Sequence, residues 1–324
     1  MALRTPYSTR TAWPRRSVSP STRGWRERPG CRGRGRCGCR TPRPLSEPDV
    51  PEVRLEGVRF AYPRGLDVYP EPGLTLALSG GAIALVGENG AGKTTLTKLL
   101  NGLLRPRAGS VSVAGTAVAG ISVARMARVV GYAFQNPDDQ LFERTVRAEV
   151  SFGPRALGRA DAELEPAVAR ALALCGLEGK EDVHPHDLGL AERKWVAIAS
   201  ALAAEPPVVV LDEPTLGQDQ RSRWRLRGLL EALAGQGRLV LVVTHDMDFV
   251  AESCPTIVVL SHGVVRHAGP TEAAFADQAV IEEAGLEPPH VAQLARTLGL
   301  GTQVTEAAFL SAWMKQVPPP CGEG

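Results

Sequence analysis

The sequence predicts an α/β layered fold built on a buried, mainly parallel sheet, and three observations carry that expectation. The runs "AIALVGENG", "PVVVLDEP", "RLVLVVTHD" and "TIVVLSHG" are apolar almost throughout, as strands covered on both faces must be. Helical patterns separate them, which is the order that lays helices on a sheet. At 324 residues and 44% apolar content the chain also has ample material for a core. No internal repeat is evident, so one copy of this core is expected.

Taken in order, residues 1–50 form a tail rich in Arg, Pro, Gly and Ser, with twelve arginines against Glu27, Glu47 and Asp49. Such a composition, without aliphatic periodicity, predicts disorder, or a start codon assigned too far upstream. Its arginines resemble those of a transit peptide, but its prolines and glycines oppose an amphipathic helix, and it has no apolar run of a secretory signal. The net charge of +2 resides in this tail, leaving the rest acidic. An acidic body is poor ground for a nucleic-acid partner, and none is expected. Cys31, Cys37 and Cys39 match no common zinc spacing, and Cys175, Cys254 and Cys321 are scattered. Unpaired thiols favour a reducing compartment.

From about residue 51, "VRLEGVRFAY" alternates as a strand does. "AIALVGENG" is a buried strand entering a glycine loop, and "TTLTKLLNGLL" follows with helical spacing. Between Asn136 and Asp187 the pattern turns mainly helical, most clearly in "DAELEPAVARALALCGLEG", which suggests a helical insertion. Beyond Asp277 lies a short, proline-interrupted tail containing "GLEPPHVAQLARTLGL". No aliphatic run approaches the roughly 20 residues of a membrane helix, so any membrane role goes through a partner.

"GENGAGKT", covering Gly87, Glu88, Asn89, Gly90, Ala91, Gly92, Lys93 and Thr94, fits G-x-x-x-x-G-K-[ST] between a strand and a helix, with Thr95 next. Its glycines let successive backbone N–H groups face phosphate oxygens, and the helix N-terminus adds partial positive charge. Lys93 would reach the β- and γ-phosphates, and the Thr94 hydroxyl would ligate Mg²⁺. "VVVLDEP" ends a buried strand in Asp212, placed to hold the Mg²⁺ shell, and Glu213, placed to polarise an attacking water. Alternatively, two acids at a strand end only cap the next turn.

The order and spacing of these motifs resemble the ATP-binding subunits of ABC transporters, over about residues 53–275. The resemblance implies a P-loop NTPase core of the ABC type, with a RecA-like mixed sheet, an antiparallel β-subdomain and a helical subdomain. The ATPase domain would span 51–275, its helical part about 136–190, followed by a C-terminal extension over 276–324. Tyr62 in "FAYPRG" looks like the aromatic that stacks on adenine. Gln135 in "GYAFQNPDDQLF" looks like the glutamine that approaches Mg²⁺ and the γ-phosphate and links the site to a membrane partner. Asp219 in "TLGQD" resembles the aspartate of the intersubunit loop, and His245 in "VVTHD" the histidine contacting the γ-phosphate. ATP and Mg²⁺ are the implied substrate and cofactor.

Within that superfamily, "FQNPDDQLFERTVRAEVSFGP" and the C-terminal "GLEPPHVAQLARTLGL" resemble energy-coupling factor ATPases, including those of cobalt and nickel importers. That implies uptake of a vitamin or transition-metal ion at the cytoplasmic face of the membrane. A small membrane protein would capture the solute, and a second would couple it to the ATPases. A dimerising, ATP-dependent switch without a transport cycle is the alternative.

The family's signature, usually L-S-G-G-Q, completes the nucleotide site of the opposite subunit in a head-to-tail dimer. Here the matching residues are Leu188, Gly189, Leu190, Ala191 and Glu192. A hydroxyl donor is gone and two side chains enter a turn that approaches phosphate closely. Losing one donor to a charged group costs on the order of 1.5–3 kcal/mol. Trp195, Ile198, Ala199 and Leu202 then follow at helical spacing, so from Glu192 onward a buried helix is expected. The weakness would fall on the partner's ATP, which favours a heterodimer with a paralogous ATPase.

Overall fold

The structure is a computed structural model and describes residues 50–316 except Arg64 and Leu66. The expected disordered tail over 1–50 therefore lies outside the described residues but for Val50, as do Cys31, Cys37, Cys39 and Cys321.

Two sheets organise the chain. In the first, β1 (Glu52–Ala61), β2 (Asp67–Ser79), β4 (Ala108–Val113) and β5 (Thr116–Ala117) pair antiparallel in the order β2-β1-β4-β5. The second contains β3 (Gly81–Val86), β6 (Val130–Ala133), β7 (Val208–Asp212), β8 (Leu239–Val243), β9 (Thr256–Ser261) and β10 (Val264–Pro270), in the order β10-β9-β3-β8-β7-β6. Its pairs are parallel except for the β9–β10 hairpin. The mixed central sheet and the antiparallel subdomain are thus as expected.

The period of two along the central strands sorts their side chains into two cores. Ala82, Ala84 and Val86 of β3 face one core with Val209 and Leu211 of β7 and Val240 and Val242 of β8. Ile83 and Leu85 face the other with Val208, Val210, Leu239 and Leu241. The second core is closed by the antiparallel sheet and by α1 (Lys93–Leu100), through Leu96, Leu99 and Leu100. With both faces covered, the strands have no polar side to show, which is why they read as continuous apolar runs.

The first core is covered by helices. After the short α2 (Val123–Met126) come α3 (Val146–Ala156), α4 (Asp161–Leu174) and α5 (Leu190–Leu202), which pack on one another. Next, α6 (Gln220–Gly235) buries Leu226, Leu229, Leu230 and Leu233, a single stripe at i, i+3, i+4 and i+7. α7 (Met247–Ser253), α8 (Thr271–Ala276) and α9 (Gln278–Glu283) complete the layer, followed by α10 (His290–Thr297) and α11 (Glu306–Gln316). His290 of α10 binds Asp248 of α7 through its backbone N–H at 2.9 Å. No described helix is long and apolar enough to cross a membrane.

One expectation needs correcting. α5 begins at Leu190, two residues before Glu192, because Gly189 already takes the extended backbone of an N-cap, with φ −63° and ψ 158°.

Candidate active site

The loop Gly87–Thr94 joins β3 to α1 at the carboxyl end of the central sheet. Gly87 lies at φ 143°, and a Cβ there would sit 1.9 Å from the carbonyl oxygen of Leu260 in β9. The loop is pressed against a neighbouring strand so closely that only glycine fits. Gly92, at φ 104°, is the N-cap of α1 without a side-chain cap, and its carbonyl accepts the Tyr69 hydroxyl at 2.7 Å. The first amides of α1 are thereby free of side-chain competition for an anion.

Lys93 folds over the loop, its Nζ donating to the carbonyls of Gly87 at 2.6 Å and Glu88 at 2.9 Å. Burial lowers its pKa, against the carboxylates of Glu213, Asp212 and Glu88. The β9–β10 turn braces the loop from outside. Gly263 N–H donates to the Ala91 carbonyl at 3.1 Å, and His262 Nδ1 lies 3.1 Å from Glu88 Oε1.

Parallel pairing of β6, β7 and β8 brings the remaining groups to the same end of the sheet. Asp212 ends β7, and its Oδ2 accepts the Tyr132 hydroxyl of β6 at 2.8 Å. Tyr132 Oη also lies 3.1 Å from Thr97 Oγ1 on α1. Burial pushes the Asp212 carboxyl above its ordinary range; the Tyr132 hydrogen bond opposes this, Glu213 adds to it, and Lys93 and Lys98 oppose it.

Glu213 takes the left-handed conformation, φ 46°, uncommon for a residue with a side chain. Its N–H donates to the Val243 carbonyl at 2.8 Å, and its carbonyl accepts Lys194 Nζ at 2.7 Å. Its Oε2 is 3.0 Å from His245 Nδ1, but among the described residues it has no partner with hydrogen-bond geometry. A buried carboxylate oxygen left unpaired is a ready acceptor for a proton or a water hydrogen.

Tyr62, Asn89, Gly90, Gly92, Lys93, Thr94, Thr95, Gln135, Asp212 and Glu213 line one cleft of about 290 Å³. Tyr62 sits at its mouth, edge-on to Phe60 with ring centroids 4.9 Å apart, its Oη 3.2 Å from Thr95 Oγ1. Gly87, Glu88 and Ala91 belong to the same loop without lining the cleft, and the exposed His245 adjoins it through Glu213.

Asp219 and the signature residues lie elsewhere. Asp219 caps α6, its Oδ1 accepting Ser222 N–H at 2.8 Å, and the bonds to Ser222 hold its carboxyl below the usual range. Gly189 is exposed, with nothing within 4 Å of a Cβ placed on it, and Leu190 is exposed beside it. The Ala191 carbonyl accepts Gln218 Nε2 at 3.3 Å. Glu192 pairs with Lys180, which holds its carboxyl below the ordinary value.

Three residues that sequence reasoning missed hold this site together. Tyr132 buttresses Asp212, and Lys194 anchors Glu213. Gln140 accepts Phe134 N–H at 3.0 Å and donates to the Ala197 carbonyl at 2.9 Å, tying the Gln135 segment to α5. The lysine that heads the mainly apolar run "KWVAIASAL" was the one available signal; Tyr132 carried none beyond its place in a strand.

The ABC transporter family pattern matches residues 74–216. Relatives named "Putative ABC transporter ATP-binding protein" include two that match over most of their length. The one from Pyrococcus furiosus is 41% identical over 248 residues, covering 76% of this chain and 94% of the relative. The one from Streptomyces coelicolor is 44% identical over 243 residues, covering 75% and 92%. Among solved structures, cbiO1 from Clostridium perfringens, part of the ABC transporter complex cbiONQ, is 30% identical with a TM-score of 0.64. That match covers 75% of this chain and 98% of cbiO1. With the phosphate loop and paired acids assembled in one cleft and relatives matched over nearly their full length, the chain belongs to the ABC transporter ATP-binding family and is an ATP-hydrolysing subunit of a transporter.

Proposed function

We propose that this chain is the catalytically stronger of two unequal ATPases in an energy-coupling factor importer, working at the cytoplasmic face of the membrane. Its cargo would be a vitamin or a transition-metal ion, captured by one membrane subunit and coupled to the ATPases by another. The likeness to cbiO1, part of the complex cbiONQ, supports the importer reading. The observation that carries the unequal pair is that Lys93, Asp212 and Glu213 line one cleft on a chain whose signature turn holds Leu190 and Ala191.

Thr94, Gln135 and Asp212 offer oxygen donors along one cleft, the donor chemistry of a hard divalent cation. Mg²⁺, when bound, neutralises charge on phosphate oxygens. The chain's own groups do the rest. Lys93 exchanges the Gly87 and Glu88 carbonyls for phosphate oxygens, and Tyr62 receives the adenine ring at the mouth. Glu213 accepts a hydrogen from the attacking water, while His245 contacts the γ-phosphate. Asp219 and Gly189–Glu192 face the partner subunit, whose better signature completes this cleft.

Affinity purification from membranes through a tag on this chain, followed by mass spectrometry, tests the reading. A second ATPase with an L-S-G-G-Q signature and a multi-span membrane protein are expected. Recovery of this chain as a soluble dimer with itself, with no membrane protein, would overturn it in favour of the switch.

A further inference from the structure

We propose that Lys194 is a positioning residue: it fixes Glu213 in its left-handed backbone conformation and ties it to the helix that starts at the signature turn. The inference rests on the reading of Glu213 as the group that activates water.

Lys194 lies in the buried run Lys194–Ala199 of α5 and is itself only 5% exposed. An ammonium with three donors is costly to bury without partners, and a methionine thioether, one atom shorter, would pack there without that cost. Its one hydrogen bond among the described residues is to the Glu213 carbonyl, at 2.7 Å. Burial lowers its pKa, and the nearby carboxylates of Glu213 and Asp212 oppose that shift.

Glu213 needs holding. A side-chain-bearing residue at φ 46° persists only when its surroundings over-determine it. Its N–H is held by Val243 at 2.8 Å; its carbonyl is held by Lys194, with Leu216 N–H more distant at 3.3 Å. Without the ammonium, that peptide keeps only the longer bond on its carbonyl side, and the carboxylate is freed to move. A misplacement of about 1 Å at a reacting group is worth about a hundredfold in rate.

The anchor also has a direction. Gly189 caps α5 and Lys194 lies in the same helix, so a displacement of the signature turn is delivered to the Glu213 main chain. In the head-to-tail pairing proposed above, the signature serves the partner's nucleotide and Glu213 serves this chain's own. Lys194 therefore joins the two sites through a single hydrogen bond.

The test uses the ATPase complex purified through a tag on this chain, carrying Lys194→Met, Lys194→Gln, Lys194→Arg or Glu213→Gln. ATP turnover, binding of a fluorescent ATP analogue and thermal unfolding are measured on each. Lys194→Met is expected to lower kcat at least about tenfold while KM and analogue affinity change less than about twofold, with Lys194→Arg recovering most of the loss. If Lys194→Met fails to fold, Lys194→Gln, which keeps a donor without the charge, is expected to show a smaller fall in kcat at unchanged KM. Wild-type kcat in the folded variant, or loss of activity only in step with loss of folded protein, would overturn the proposal. Undiminished turnover in Glu213→Gln would instead sink the reading of Glu213 on which it rests.

Discussion

The segments Gly87–Thr94 and Gly189–Glu192 both open helices that begin without a side-chain cap, α1 at Lys93 and α5 at Leu190. Their surroundings differ. At Gly87 a Cβ would lie 1.9 Å from a strand carbonyl; at Gly189 it would meet nothing within 4 Å. The phosphate loop is shaped from within the chain, by Leu260 behind Gly87, Tyr69 behind Gly92 and the β9–β10 turn outside. At Gly189 the signature turn meets no such packing. Its glycine is not demanded by the subunit that carries it, although Ala191 and Glu192 are held by Gln218 and Lys180. That freedom is how Leu190 and Ala191 are accommodated without disturbing this fold, and on the proposed head-to-tail pairing their effect would fall on the partner's nucleotide.

If the phosphate loop is internally determined, Gly87→Ala should be the most damaging small substitution. Strain at φ 143° plus the clash with Leu260 is expected to cost at least about 2 kcal/mol and to abolish ATP binding, measured by denaturant unfolding and nucleotide titration. Gly189→Ala, in open space, should cost folding no more than about 1 kcal/mol, the loss of a glycine N-cap, and leave ATP binding unchanged. Equal damage at both positions would break the comparison.

Glu213→Gln should lower turnover by about a hundredfold or more while ATP still binds, since it removes a base and leaves the loop intact. Tyr132→Phe comes next. It deletes the hydrogen bond to Asp212 and is expected to cost about 1.5–3 kcal/mol of Mg²⁺-dependent ATP binding, read as a raised requirement for Mg²⁺.

The smallest effect belongs to the signature side. Lys180 depresses the Glu192 pKa, so this pair contributes stability above 4.5, the unperturbed value, and loses it as pH falls through the lower folded value. Both side chains are more than a third exposed, which limits the contribution to about 0.2–1 kcal/mol. The protection factors of the first hydrogen-bonded amides of α5, from Arg193 onward, corrected for the intrinsic pH dependence of exchange, should therefore fall on acidification in the native chain and not in Lys180→Met.

How much of this was legible in the sequence follows the same division. β3, β7, β8 and β9 were readable because both of their faces are buried, and the phosphate loop because a glycine motif between strand and helix has one physical use. Asp212 and Glu213 were readable as acids at a strand end, but what positions them was not. Tyr132 reaches Asp212 across 80 residues, and Lys194 reaches Glu213 from a helix that looked merely apolar. Those bonds exist only through the parallel register of β6 with β7 and the packing of α5, which no local pattern encodes. The N-cap at Gly189 escaped notice because its usual sign, a Ser, Thr, Asp or Asn, is missing.

The most direct test is ATP hydrolysis by the purified chain alone, compared with the combined variant Gly189→Ser, Leu190→Gly and Ala191→Gly. The native chain should bind ATP and turn it over slowly, and the restored signature should raise turnover by about tenfold or more, matching the roughly 1.5–3 kcal/mol of a recovered donor. A native chain that already hydrolyses ATP at the restored variant's rate, with Glu213→Gln abolishing both, would show that the altered signature is no defect and that no unequal partner is needed.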